Sequence, residues 1–245
     1  SFLVEITAKV LTATDPETGK AMPDIIVDAA GQKGTGRWSA IEAQQLAVPA
    51  TVIEAAVAAR CLSSMRDERK AAEPMFNKEE LEFKIPPGPW LNRDLELALF
   101  AAKIAAYAQG FDVMASASEQ YGWNLPMPEI ARIWRAGCII RSQFLDEITK
   151  AFSETPDVAN LIVTPAFAGM VNECLPSLRR IVAAATSAGL PVPGLASALT
   201  YFDAYRQSRG TANLIQAQRD FFGAHGFDRL DGLDIHHGPW GSGAA

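Results

Sequence analysis

Residues 28–64 read Asp28-Ala-Ala-Gly-Gln-Lys-Gly-Thr-Gly-Arg-Trp-Ser-Ala-Ile-Glu42, then Ala43-Gln-Gln-Leu-Ala-Val-Pro-Ala-Thr-Val-Ile-Glu54, then Ala55-Ala-Val-Ala-Ala-Arg-Cys-Leu-Ser-Ser64. The stretch opens as a glycine-rich turn, in which Gly31, Gly34 and Gly36 admit backbone angles closed to other residues and let a ligand approach the main chain. Lys33, Thr35 and Arg37 stand among them, two cations and a hydroxyl. Ser39-Ala-Ile-Glu42 has the form of a capping box that starts a helix, and Thr51-Val-Ile-Glu54 has the same form. A helix start offers free N–H groups and a partial positive charge, so it favours anions. The helix after Thr51 is almost wholly small and apolar, with Arg60 inside it. An arginine on a buried face requires an anionic partner, because an unpaired buried charge is costly. Two readings follow. The turn, the helix start and Arg60 form a pocket for a phosphate or carboxylate, or the turn only connects helices and Arg60 pairs with a structural glutamate. The glycine spacing fits neither a Walker loop nor the dinucleotide fingerprint, and no strand precedes it.

Outward from this stretch, the chain reads as all-α. About half of its 245 residues are apolar, alanine is abundant and β-branched runs are short, which favours helices around a sizeable core. Periodicity places helices over residues 1–12, 23–30, about 40–47, 52–72, 93–121, 129–152, 157–163, 165–188, 193–208 and 211–222. Gly122 and Gly223 are natural stops. The connection over 73–92 contains Pro74, Pro86, Pro87 and Pro89, and its Phe83, Ile85 and Trp90 are expected to pin it to the surface. The division expected is one helical domain over 1–222 and an extended tail over 223–245.

An internal repeat is also visible. Phe2-Leu-Val-Glu-Ile-Thr7 resembles Phe144-Leu-Asp-Glu-Ile-Thr149, and Val48-Pro-Ala with its helix resembles Val192-Pro-Gly with its helix. The two offsets nearly agree, so the chain reads as two copies of one helical unit. Helix precedes the motif in the second copy but not in the first, so the first repeat is expected to be truncated at its N-terminus.

The net charge of −6 points away from nucleic acid and from anionic membranes. The most apolar stretch, around Leu95–Met114, is interrupted by Glu96, Lys103 and Asp112, which argues against a membrane span. The opening Ser1-Phe-Leu-Val-Glu-Ile reads as an amphipathic segment and not as a signal peptide. Cys61, Cys138 and Cys174 form neither a disulfide framework nor a metal pattern; they suggest a reducing cytoplasm and buried, inert thiols. His236 and His237 are adjacent, a poor arrangement for sharing one ion, so no metal site is expected. No nucleophile–base pair is apparent. Arg132, Arg135 and Arg141 are expected to pair structurally with carboxylates such as Asp146 or Glu147, and Lys103 and Glu119 to lie on helix surfaces.

Four blocks carry a resemblance. Ala30-Gly-Gln-Lys-Gly-Thr-Gly-Arg-Trp38, Ala59-Arg-Cys-Leu-Ser-Ser64, Trp134-Arg-Ala-Gly-Cys-Ile-Ile-Arg-Ser142 and Ile215-Gln-Ala-Gln-Arg-Asp-Phe-Phe-Gly-Ala-His225 resemble, in order, the signature blocks of the decarboxylating 6-phosphogluconate dehydrogenases. The resemblance covers the all-helical C-terminal part of such an enzyme. It implies that NADP is bound mainly by an N-terminal dinucleotide-binding domain without a counterpart here. It further implies oxidation and decarboxylation of 6-phosphogluconate to ribulose 5-phosphate, in the pentose phosphate pathway and gluconate utilisation. The implied base and acid, a lysine and a glutamate, fall upstream of residue 1, so no catalytic residue is assigned and the 245-residue chain alone is expected to be inactive. By the same resemblance Lys33, Thr35 and Arg60 contact substrate, Lys33 and Arg60 chiefly at its phosphate. Arg219 and His225 reach the site of a neighbouring subunit through a tail that crosses within a homodimer. The chain departs from the family in its proline-rich 85–90 stretch and in its short tail, which bears on the tail's contacts. A non-catalytic helical assembly module, or a binding protein for another phosphorylated sugar acid, are the alternatives.

Overall fold

The structure, a computed structural model, describes residues 1–31, 33–76 and 87–240. These form helices α1 (Phe2–Thr12), α2 (Met22–Ile25), α3 (Thr35–Gln45), α4 (Thr51–Ser64), α5 (Arg66–Ala72), α6 (Pro89–Tyr121), α7 (Met127–Ile133), α8 (Phe144–Glu154), α9 (Pro165–Ser187), α10 (Pro193–Tyr205) and α11 (Ala212–Gly223). Short 3-10 turns lie at Glu73–Met75 and Leu161–Val163. Among the described residues there is no strand, only an isolated bridge between Thr14 and Ala21. The all-α expectation holds. The chain divides into two compact units, Ser1–Tyr201 and Phe202–Ala245.

The first unit is built on α6. Pro89 supplies a first residue that needs no N–H partner, and Gly122 closes the helix in the left-handed conformation at φ 68°. Ala98, Ala101, Ala102, Ala105 and Ala108 are buried along it, so α9 packs closely through Phe167, Val171, Leu178 and Ile181. Pro176 lies inside α9, where it removes one backbone donor without ending the helix. Asp94 of α6 fastens the pair: it accepts from Ser177 Oγ at 2.7 Å and from Arg180 Nε at 2.8 Å. By length and composition α6 could cross a bilayer, contrary to the sequence expectation, since its best window has a mean hydropathy of 1.2. That apolarity is explained by the core, into which the alanine face is turned.

Residues 129–152 are two helices and not one. The chain leaves α7 after Ile133, passes Gly137 at φ 76°, and re-enters a helix at Phe144. Tertiary contacts account for the break. Trp134 packs on Phe111 with ring centroids 5.6 Å apart, Tyr107 Oη donates to the Ile140 carbonyl at 2.8 Å, and Lys103 Nζ donates to Ser142 Oγ at 2.6 Å. Phe144 then meets Phe100, Tyr107 and Phe167 edge-on at 5.3–5.6 Å. Lys103 is therefore not an ordinary surface residue: it is half-buried over the Tyr107 and Phe144 rings, and burial lowers its pKa. The same burial pushes the Tyr107 hydroxyl up to about 12. Arg135 pairs with Asp146 as expected, at 2.8 Å, and Arg132 pairs with Glu129. Arg141 instead lies over the Phe2 ring, 3.7 Å from its centroid.

The repeated motifs take the same local form. Both α1 and α8 are 11-residue helices. Thr7 Oγ1 donates to the Leu3 carbonyl at 2.7 Å, and Thr149 Oγ1 to the Leu145 carbonyl at 2.9 Å. Their surroundings differ. In α8, Phe144, Leu145, Ile148, Ala151 and Phe152 are buried, whereas α1 buries no residue. Other expectations require correction. The helix expected over 23–30 is only the single turn of α2, and residues 52–72 break at Met65 into α4 and α5. The helix expected over 157–163 is the 3-10 turn at Leu161–Val163. Trp90 is 85% exposed and pins nothing, while Phe83 and Ile85 lie outside the described residues. Of the thiols, only Cys174 is buried; Cys61 is exposed.

Candidate functional site

Neither proposed capping box forms. Helix α3 begins four residues before Ser39, so Ser39 lies inside it and its Oγ donates to the Thr35 carbonyl at 3.0 Å. At the start of α4 the capping group comes from α6. The fully buried Gln109 accepts from the Val52 N–H at 3.0 Å and donates from Nε2 to Thr51 Oγ1 at 3.0 Å. Glu54, the expected box partner, accepts instead from Gln44 Nε2 at 2.8 Å. A long-range contact has displaced a local one.

The glycine turn docks along α4. The Ala30 N–H donates to Ser63 Oγ at 3.0 Å, and that hydroxyl donates to the Arg60 carbonyl at 2.8 Å. Arg60 Nη2 donates to the Gly31 carbonyl. Asp28 accepts from Arg69 of α5 at 2.8 Å. Gly34 precedes α3 at φ 113°, a conformation open to glycine, and a Cβ there would stand 2.9 Å from the Trp38 indole. Gly36 packs on α4, where a Cβ would meet Val57 at 3.1 Å. Gly36 thus sets the start of α3 against α4, and Gly31 ties the same turn to Arg60.

The structure therefore docks the turn that carries Lys33 and Thr35 along α4, where Arg60 is tied to Gly31. Arg60 corrects the sequence reading in one respect: it is exposed, and its partner is a backbone carbonyl rather than a buried carboxylate. A single acceptor occupies only part of a five-donor guanidinium. Lys33, Thr35, Gly36 and Arg37 are exposed, and the N-cap of α3, Gly34, has no side chain with which to cap it. A helix start, a hydroxyl and cations in one stretch suit a phosphate better than any neutral ligand.

Arg219 and His225 belong to the second unit. Arg219 is exposed on α11, with Nη1 donating to Gln216 Oε1 at 2.9 Å. His225 follows the left-handed cap residue Ala224 (φ 50°) and lies edge-on to Phe222 at 5.9 Å. Between them in sequence stands a residue that pattern reading passed over. Asp220 is buried, and each carboxylate oxygen accepts two bonds. Oδ1 takes the Gly226 N–H at 2.9 Å and His237 Nδ1 at 2.7 Å; Oδ2 takes the Gly238 N–H at 3.0 Å and Trp240 Nε1 at 2.8 Å. The Gly238 N–H, with the other donors, holds this carboxyl well below the usual range. His237 thus has a carboxylate for its partner, and among the described residues no group of three or more His, Cys, Asp and Glu could hold a metal ion. No composition or spacing separates such an aspartate from a solvated one; only the glycines at 226 and 238 hint at a tight local fold.

The model of the 6-phosphogluconate dehydrogenase C-terminal domain matches residues 1–240. The chain belongs to the 6-phosphogluconate dehydrogenase family. An NAD(+)-dependent and an NADP(+)-dependent decarboxylating 6-phosphogluconate dehydrogenase of Bacillus subtilis are each 44% identical to it; both alignments cover 98% of this chain and 51% of the relative. A decarboxylating 6-phosphogluconate dehydrogenase of Saccharomyces cerevisiae is 47% identical, over 98% of this chain and 49% of the relative. Among solved structures, Plasmodium falciparum 6-phosphogluconate dehydrogenase, described in its apo form and in complex with its cofactor NADP+ and its substrate 6-phosphogluconate, superposes with a TM-score of 0.92. It is 40% identical, over 98% of this chain and 52% of that one. The chain thus spans about half the length of the curated relatives it matches.

Proposed function

We propose that this chain is the substrate-binding and dimerisation portion of a cytoplasmic 6-phosphogluconate dehydrogenase, an enzyme of the pentose phosphate pathway that converts 6-phosphogluconate to ribulose 5-phosphate with NADP. The observation that carries the reading is the turn tied to Arg60 through the Gly31 carbonyl, with Lys33 and Thr35 at the start of α3, within a chain matched to this family over residues 1–240. Arg60 and Lys33 bind the substrate phosphate. Thr35 and the first N–H groups of α3 orient it by hydrogen bonds, which fixes the sugar acid without moving a proton.

The described residues do not by themselves fit a dinucleotide. They contain no strand, hence no sheet crevice of the doubly wound kind. NADP is proposed as the cofactor of the whole enzyme. The chain is as similar to the NAD(+)-dependent Bacillus subtilis relative as to the NADP(+)-dependent one, so the similarity does not itself select between them.

Arg219 and His225 complete the site of the second subunit in a homodimer. Mixing Arg60→Ala with Arg219→Ala whole-enzyme subunits tests this. Each mixed dimer would regain one intact site, because a two-fold interface makes the exchange reciprocal. Recovery of activity in verified mixed dimers is expected; none would mean that each site is built within one chain.

A further inference from the structure

We propose that Asp220 is the positioning residue for Arg219 and His225, fixing both substrate-contacting side chains from between them. The inference rests on the functional reading above. Asp220 is the neighbour of Arg219 on α11, and its oxygens hold the Gly226 N–H, adjacent to His225, at 2.9 Å. The Ala224 N–H closes on the Asp220 carbonyl at 2.9 Å, so main chain and side chain of one residue define the exit from α11. The other three donors come from residues 237–240 and bind this later segment to the same carboxylate.

The surroundings leave little freedom. With the carboxylate ionised, His237 Nδ1 carries the donated proton and its ring faces outward. Trp240 packs between Phe221 and Phe227, each with a centroid 6.2 Å away. A Cβ on Gly238 would fall 2.0 Å from the Trp240 ring, so only glycine lets the N–H and the indole reach Asp220 together. Four donors on two oxygens are a full complement for a buried carboxylate. A glycine-containing segment otherwise costly to order is thereby held in one conformation. Neither Arg219 nor His225 has a carboxylate of its own among the described bonds; their placement comes through the backbone that Asp220 pins.

The test is steady-state kinetics of Asp220→Asn in the whole enzyme. Asparagine keeps the shape but turns an NH2 group toward two donors. The expected result is a rise in KM for 6-phosphogluconate of roughly 10-fold or more, the scale of one lost charged hydrogen bond. The cofactor KM should stay within about 2-fold of wild type, as a residue acting only through the substrate side requires. A merely structural role would not split the two constants. An unchanged substrate KM would overturn the proposal. Should Asp220→Asn fail to fold, Trp240→Phe decides, since it removes one donor of four. It is expected to raise the same KM about 2- to 5-fold, and no change would overturn the proposal. Arg219→Ala and His225→Ala separate this from failure of the functional reading. If they raise the substrate KM and Asp220→Asn does not, positioning by Asp220 is refuted; if neither raises it, the assignment of the site itself fails.

Discussion

Replacing Gln109 by leucine measures how far α6 governs the helix that carries Arg60. Gln109 is fully buried and commits both ends of its amide to the first turn of α4, at 3.0 Å each. Leucine keeps the bulk but makes neither bond. The Val52 N–H then loses its partner at a part-buried helix start, a cost of about 1–3 kcal/mol. Loss of a helix cap, about 0.5–2 kcal/mol, is the same energy seen from the helix and is not added. The extra apolar surface buried by leucine offsets part of it, which leaves about 1.5 kcal/mol, or about 3–6 °C in melting temperature for a chain of this size. Glu54→Ala is the control. A local capping box over Thr51–Glu54 would make Glu54 the costlier loss, whereas the exposed Gln44–Glu54 bond is worth no more than about 0.5 kcal/mol. Thermal and urea unfolding followed by circular dichroism, with hydrogen exchange at Val52, reads both. Equal or greater destabilisation by Glu54→Ala would refute capping by Gln109.

Gly34→Ala should destabilise the protein by about 1–3 kcal/mol, since alanine must adopt φ 113° and push the Trp38 indole aside; the melting temperature and Trp38 fluorescence report it. Asp94 supplies a pH dependence. Arg180, then Ser177, hold its carboxyl down at about 2, below the unfolded value of about 3.9. Its contribution is therefore present above about pH 4 and is lost as pH falls toward about 2. Asp94→Asn should flatten acid unfolding in that window, and an unchanged acid limb would show that the α6–α9 clamp contributes nothing.

Much of this architecture was legible because alanine-rich periodicity and punctuating glycines are local signals. Gly122 ends α6 as a left-handed cap, and the all-α class followed from composition. The misreadings share one cause, tertiary contact overriding local preference. Ser39 and Thr51 look like caps, but docking of the glycine turn started α3 earlier, and Gln109, 57 residues along from Val52, took the cap of α4. Residues 129–152 have unbroken helical periodicity, yet Gly137 and the Trp134, Ile140 and Ser142 contacts bend the chain out. Lys103 looked solvated because nothing nearby in sequence shows that Phe144 and Tyr107 close over it. At the candidate site the residue types were legible and the geometry was not: Arg60 binds a carbonyl on the surface, and Asp220 gave no sign of its four partners.

The central claim is that the turn held by Arg60 receives the phosphate of a sugar acid. Calorimetric titration of 6-phosphogluconate, and separately of gluconate without its phosphate, into wild-type and Arg60→Ala whole enzyme tests it most directly. The account predicts that Arg60→Ala weakens 6-phosphogluconate by about 1.5–3 kcal/mol, roughly 10- to 150-fold, while gluconate affinity is unchanged. Arg60→Lys should recover only part, because lysine lacks the planar fork. An equal loss for both ligands, or no loss for either, would contradict the claim.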